Sequence, residues 1–142
     1  MGAWGAQPFE NDFALDFTAE LFHGEAGDLS LLGEVFDDIF QAKAEGYIEA
    51  DQSNAAIAAA AILVYLKQGN PQDLVKIQAN SEDWFKAAAA ENYQSLILAA
   101  LKALETITEN CDHSEAYELW AETEYLEEWL ESITRISTTL KA

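Results

Sequence analysis

Apolar residues recur along most of this chain at helical spacing. Ala14, Phe17, Leu21 and Phe22 fall on one side of a helix that ends near His23, with Gly24 as its stop and Asn11 or Asp12 as its N-cap. Leu32, Val35, Phe36, Ile39 and Phe40 follow the i, i+3, i+4 rule closely, which predicts a second helix starting after Asp28 or Ser30 and stopping at Gly46. A third, from about Asp51 to Gln68 with Gly69 as its cap, is apolar nearly all round (AAIAAAAILVYL). Such a helix belongs at the centre of a bundle, and its alanines let neighbours approach closely.

Pro71 at a first helical position and Asp73 in the first turn predict a short helix to about Gln78. Ser81 caps the next, which carries Trp84 and Phe85 and runs on through Leu96, Ile97, Leu101 and Leu104 to Thr108. Residues Asn110 to His113 read as a break. Ser114 caps a last helix whose seam is Tyr117, Leu119, Trp120, Leu126, Trp129, Leu130, Ile133, Ile136 and Leu140. Neither two-residue alternation nor a fixed-period repeat is present. The expectation is a single all-α domain over residues 1–142. It has an irregular arm over residues 1–10, with a turn at Pro8, and a compact bundle of about five to six helices over residues 11–142.

Composition changes this picture in one respect. With 50% apolar and 11% aromatic residues the chain can build a core, so it is not an acidic disordered tail. Seven basic residues against 26 acidic ones leave a formal charge of −19, well beyond the roughly 2–8 charges of an ordinary small-domain surface. Nucleic-acid binding and attachment to anionic membranes both rely on Lys and Arg, so neither is expected. The opening lacks a basic n-region, Ala6 replaces the Ser or Thr of a myristoylation signal, and Ala55 to Leu66 is too short to span a bilayer. A cytoplasmic protein is expected. Cys111 is the single cysteine and cannot form an internal disulfide.

The acids are patterned. Asp12, Asp16 and Glu20 form a stripe on the first helix, and Glu34, Asp37, Asp38 and Glu45 line the second. Between Lys102 and Arg135 stand ten acids and no Lys or Arg. There Glu115, Glu118 and Glu122 share one helical side, and Glu124, Glu127, Glu128 and Glu131 another. One reading is a solvated face that keeps the protein soluble. The other is a docking face for a basic protein, with Asp12, Asp16, Glu20, Glu115, Glu118, Glu122, Glu124 and Glu128 as the contact residues.

Motifs for chemistry are incomplete. Glu20 and His23 have the E-x-x-H spacing that di-iron bundles use twice, but position 110 is Asn110, so the second copy is missing. No metal and no cofactor is therefore expected. Cys111 and His113 stand close in sequence without a glycine-rich elbow, which favours an inert loop over a nucleophile with its base. Phosphate-binding loops, dinucleotide fingerprints, zinc pairs and calcium loops are absent from the sequence.

The opening MGAWGAQPFENDFALDF resembles the start of DUF4259, a bacterial family of domains of unknown function. Trp4, Gly5, Phe9, Glu10, Asn11, Asp12, Ala14 and Asp16 match its signature, while Gln7-Pro8 stands where the family has glycine. IAAAAILVYLKQG and EEWLESI look like its central and final helices. The resemblance implies a bacterial intracellular protein and assigns no activity. Physically, Trp4 and Phe9 would pin the arm to the helices while Asn11 or Asp12 caps the first of them. The alternative is that the arm and Asp16 line a binding groove.

The leading expectation is a non-enzymatic interaction domain, in its narrower form an immunity or antitoxin-like inhibitor of a basic toxin or nuclease. The alternatives are an uncharacterised helical enzyme or metal-binding protein, and a housekeeping domain. Oligomeric state is not readable from the sequence.

Overall fold

The computed structural model describes residues 5–25, 27–68 and 81–142, with the side chains of Ser81 and Glu82 left aside. Among the described residues there are seven α-helices: α1 (Asp12–His23), α2 (Ser30–Glu45), α3 (Ala50–Gln68), α4 (Ser81–Ala88), α5 (Gln94–Glu109), α6 (Glu115–Ala121) and α7 (Leu126–Lys141). A 3-10 turn, Cys111–His113, joins α5 to α6. The all-α expectation holds, but the count exceeds five to six because two long expected helices are each broken once. The short helix expected up to Gln78 lies outside the described residues, as do Trp4 and the expected Gly69 cap.

The first break separates α4 from α5. After Ala88 the chain tightens into i→i+3 bonds from Ala90 N to Ala87 O and from Glu91 N to Ala88 O, and Asn92 Oδ1 then accepts from Gln94 N at 3.1 Å. Asn92 thus turns the chain into α5 after the alanine run has already closed in tighter bonds. The break lets Trp84 and Phe85 meet Phe22 at ring distances of 5.4 and 5.6 Å, and Phe85 meet Tyr65 at 6.4 Å. The second break separates α6 from α7. Thr123 Oγ1 donates to Trp120 O at 2.7 Å and accepts from Tyr125 N at 3.1 Å, which closes the turn. Trp120 and Trp129 then stack across the corner with centroids 6.4 Å apart.

Helix α3 is the centre, as its sequence requires. Ala56, Ala58, Ala59, Ala60, Ile62 and Leu63 are wholly buried, and α1, α2, α5, α6 and α7 all pack on it. Alanine permits this because five neighbours cannot share one helix unless its side chains are short. The expected apolar faces of α1 and α2 are buried too, except that Phe40 stays half-buried.

Helix ends follow local chemistry. Asn11 Oδ1 accepts from Ala14 N at 2.8 Å, capping α1. Helix α2 closes on Gly46 at φ 102, with Gly46 N donating to Lys43 O and Tyr47 N to Ala42 O. That is a Schellman ending, for which the left-handed backbone favours glycine. Gly27, at φ 81, lies so close to α4 that a Cβ there would come within 2.9 Å of Ala87 Cβ.

The helices also have directions. Tyr93 OH donates to Leu66 O, which places the start of α5 beside the end of α3. Lys67 Nζ donates to the carbonyls of Thr139, Leu140 and Ala142, which places the end of α7 there as well. Helices α3 and α7 are therefore parallel, and α5 is antiparallel to both. The opposite pole collects the starts of α3, α6 and α7 and the ends of α2 and α5.

Candidate functional site

That opposite pole is where acids gather. Glu45 ends α2 and Glu109 ends α5; Glu49, Asp51, Glu115, Glu118, Glu127 and Glu128 sit at or near helix starts. First-turn carboxylates interact favourably with the positive N-terminal end of a helix, so part of this concentration is a helix-dipole effect. Cations are scarce in return. The one ion pair among the described residues joins Lys43 to Glu109 at 2.9 Å.

The acids here fall into two kinds. Glu115 is half-buried, and its Oε1 accepts from Ala50 N, the first amide of α3, at 2.8 Å. Glu118 accepts from Tyr47 OH at 2.9 Å. Partial burial of the Tyr47 phenol, the hydrogen bond to Glu118 and the charges of Glu118, Glu115 and Glu49 push its pKa up to about 12. Both glutamates thus tie α6 to the loop before α3. In that same place Ile48 N donates to His113 O at 2.8 Å and Glu115 N to Ile48 O at 2.9 Å, a two-bond parallel bridge between the α2–α3 loop and the start of α6. Gln52 Oε1 completes the start of α3 by accepting from Glu49 N at 3.0 Å.

Glu122, Glu124, Glu127 and Glu128 are exposed. The α6–α7 turn changes their grouping. Glu122 is the C-cap of α6, with its backbone still in the right-handed helical region, and Glu124 lies in the turn, so Glu124 shares no helix with Glu127, Glu128 and Glu131. The reason is the Thr123 turn, which a periodic run of glutamates does not announce. Asp12, Asp16 and Glu20 do form an exposed stripe on α1, with Phe13 beside them 43% exposed.

The family-signature residues build the arm. Glu10 N donates to Gln7 O and Gln7 N to Glu10 Oε1, both at 3.1 Å, so residues 7–10 close a turn with Pro8 at its first central position. Gly5 lies where a Cβ would come within 2.5 Å of that carboxylate. Phe9 is buried and stacks on Tyr65 at 6.2 Å, and Ser132 Oγ donates to Ala6 O at 3.2 Å. Ala14 is buried and Asp16 points to solvent. Beneath the arm, the crevice between Asn54, Trp120 and Trp129 has about 10 Å³, room for a single water. Asp16 does not line it.

The candidate chemistry stays apart. Glu20 and His23 are exposed on α1, and no group of three or more metal-ligating side chains occurs among the described residues. In the 3-10 turn the Cys111 thiol is directed at Asp112, 3.9 Å away, while His113 Nδ1 lies 3.4 Å from Gly46 O. The imidazole therefore serves the α2–α3 loop, not the thiol. Among the described residues, no helix is long and apolar enough to cross a membrane.

Sequence reasoning missed the structural use of Glu115, Glu118 and His113. Only the Gln52 contact had a local signal, since it stands three residues after the N-cap Glu49.

A family model described as a domain of unknown function, DUF4259, matches residues 2–132. No curated protein and no solved structure matches the chain.

Proposed function

The chain belongs to the DUF4259 family, and on that premise we propose that it is a non-enzymatic interaction domain whose acidic surface binds a basic protein. In its narrower form the reading is an immunity or antitoxin-like inhibitor that covers the basic site of a toxin or nuclease. It acts inside a bacterial cell, where neither nucleic acid nor membrane is its partner. The supporting observation is the excess of exposed carboxylates, on the α1 stripe and around the α6–α7 turn, in a chain where a single ion pair is seen among the described residues. Such a field steers a cationic partner and speeds encounter, an effect that falls steeply with salt.

The contact residues divide accordingly. Asp12, Asp16, Glu20, Glu122, Glu124 and Glu128 are the recognition set, while Glu115 and Glu118 are held by the fold. The test is co-purification at low salt from the native host, with the captured protein identified and its binding measured across a salt series. A basic partner whose affinity drops with salt, and drops again on reversing Glu122, Glu124 and Glu128 to Lys, supports the reading. Capture of no basic protein counts against it, as does binding that ignores those reversals in a folded variant.

A further inference from the structure

Away from the acidic pole, α5 and α7 leave an open groove of about 620 Å³ between them. Leu101, Leu130 and Ile133 share its walls with Thr134, Ser137 and Thr138, and Leu98 stands on its rim 64% exposed. Leu98 is the most exposed of the large apolar side chains described. An exposed leucine at the edge of such a groove gives a second molecule apolar area to bury.

The charges along the groove indicate what covers it. Because α5 and α7 are antiparallel, the groove has unlike ends. On α7, Glu131, Thr134, Thr138 and Lys141 succeed one another at three- or four-residue spacing, so they form one row running from acidic to basic. On α5, Glu105 lies toward the acidic pole and Leu98 toward Lys141, with Lys102 between them. Lys102 is solvent-exposed, although its ammonium also lies 5.9 Å from the Phe40 ring centroid. A surface basic at one end and acidic at the other is complementary to itself when turned around. It is also the face on which a second chain of charge −19 meets least repulsion. No acid occurs in α5 from Gln94 to Leu104, or in α7 from Ser132 to Lys141.

We propose that two copies of this chain pair about a twofold axis through the α5–α7 groove, each seating Leu98 in the groove of the other. The axis sets Lys102 and Lys141 of each copy against Glu105 in the groove of the second copy and Glu131 beside that groove. Leu98 then leaves water and covers apolar walls that the described residues leave open.

Sedimentation equilibrium of the full chain, over a concentration series at low and at high salt, tests this. The expected result is a monomer–dimer equilibrium that salt strengthens. Screening relieves repulsion between two strongly negative chains more than it weakens a few exposed ion pairs. Leu98→Glu should leave a folded monomer at every concentration, with Leu98→Gln as the second variant if the glutamate impairs folding. Lys102→Glu should weaken the dimer, and adding Glu105→Lys should restore it, because the exchanged charges still face each other. A chain that stays monomeric in both salts overturns the proposal. So does a dimer that the folded Leu98 variants leave intact, or a double variant that fails to recover. The opposite response to salt separates this contact from binding of a basic protein at the acidic surface.

Discussion

The carboxylates of α6 and those of α1 look alike in sequence, yet the fold uses them differently. Glu115 and Glu118 each accept a hydrogen bond from a residue far away in the chain, Ala50 and Tyr47. Asp12, Asp16 and Glu20 project into solvent along one side of α1. A carboxylate next to a helix start that needs an acceptor becomes part of the structure. One on the outer side of a helix is left for whatever approaches. Net charge therefore overstates the surface available to a partner, and substitutions aimed at binding belong on α1 and at the α6–α7 turn.

The largest effect should come from the corner on which α6 depends. Trp129 is buried between Tyr117, at 5.9 Å, and Trp120, at 6.4 Å. Trp129→Ala should lower the unfolding free energy by about 3–5 kcal/mol, read from urea denaturation. Next, Glu115→Ala should cost about 1 kcal/mol by uncapping α3. Asp16→Ala, in the same assay, should stay within about 0.5 kcal/mol of the parent. Equal effects from these two would erase the distinction between the two groups of acids.

Tyr47 gives a spectroscopic version of the same comparison. Tyr47 should ionise near pH 12 in an ultraviolet titration, and Tyr47→Phe should remove that step. Glu118→Gln should move it back toward the ordinary value of 10.0. Since the folded pKa is raised, the contribution to stability is complete below about pH 10 and is lost as pH rises toward 12. The smallest effect is expected on α1. Neutralising Asp16 and Glu20 to Asn and Gln, with the first-turn Asp12 kept for its helix-dipole interaction, should raise the unfolding free energy by under about 0.5 kcal/mol, and the gain should vanish in high salt.

The core of the fold was legible because its signals are local. The spacing of Leu32, Val35, Phe36 and Ile39 marks a helix facing a core, Asn11 and Ser114 mark helix starts through their side-chain oxygens, and Gly46 marks an end through its left-handed backbone. The breaks after Ala88 and Ala121 were not legible. Alanine- and glutamate-rich stretches favour helix, and single residues such as Asn92 and Thr123 do not stand out within them as turn signals. What decides each break is partly distant. Trp84 and Phe85 turn toward Phe22, and Trp120 folds back on Trp129.

The acidic surface was legible only in outline. Composition gives an excess of carboxylates, and helical spacing groups them, but which of them a distant donor claims, the Ala50 amide or the Tyr47 hydroxyl, depends on residues 65 or more positions apart meeting in space. The sequence by itself determined that this chain is helical, that α3 lies inside and that the surface is strongly negative, because propensity, periodicity and charge are properties of short stretches. Only the tertiary structure decided that Glu115 and Glu118 belong to the fold, that Glu122 and Glu124 sit at a turn, and that α5 and α7 leave Leu98 beside an open groove. Those outcomes follow from helix directions, and helix directions are fixed by contacts between segments that no local pattern contains.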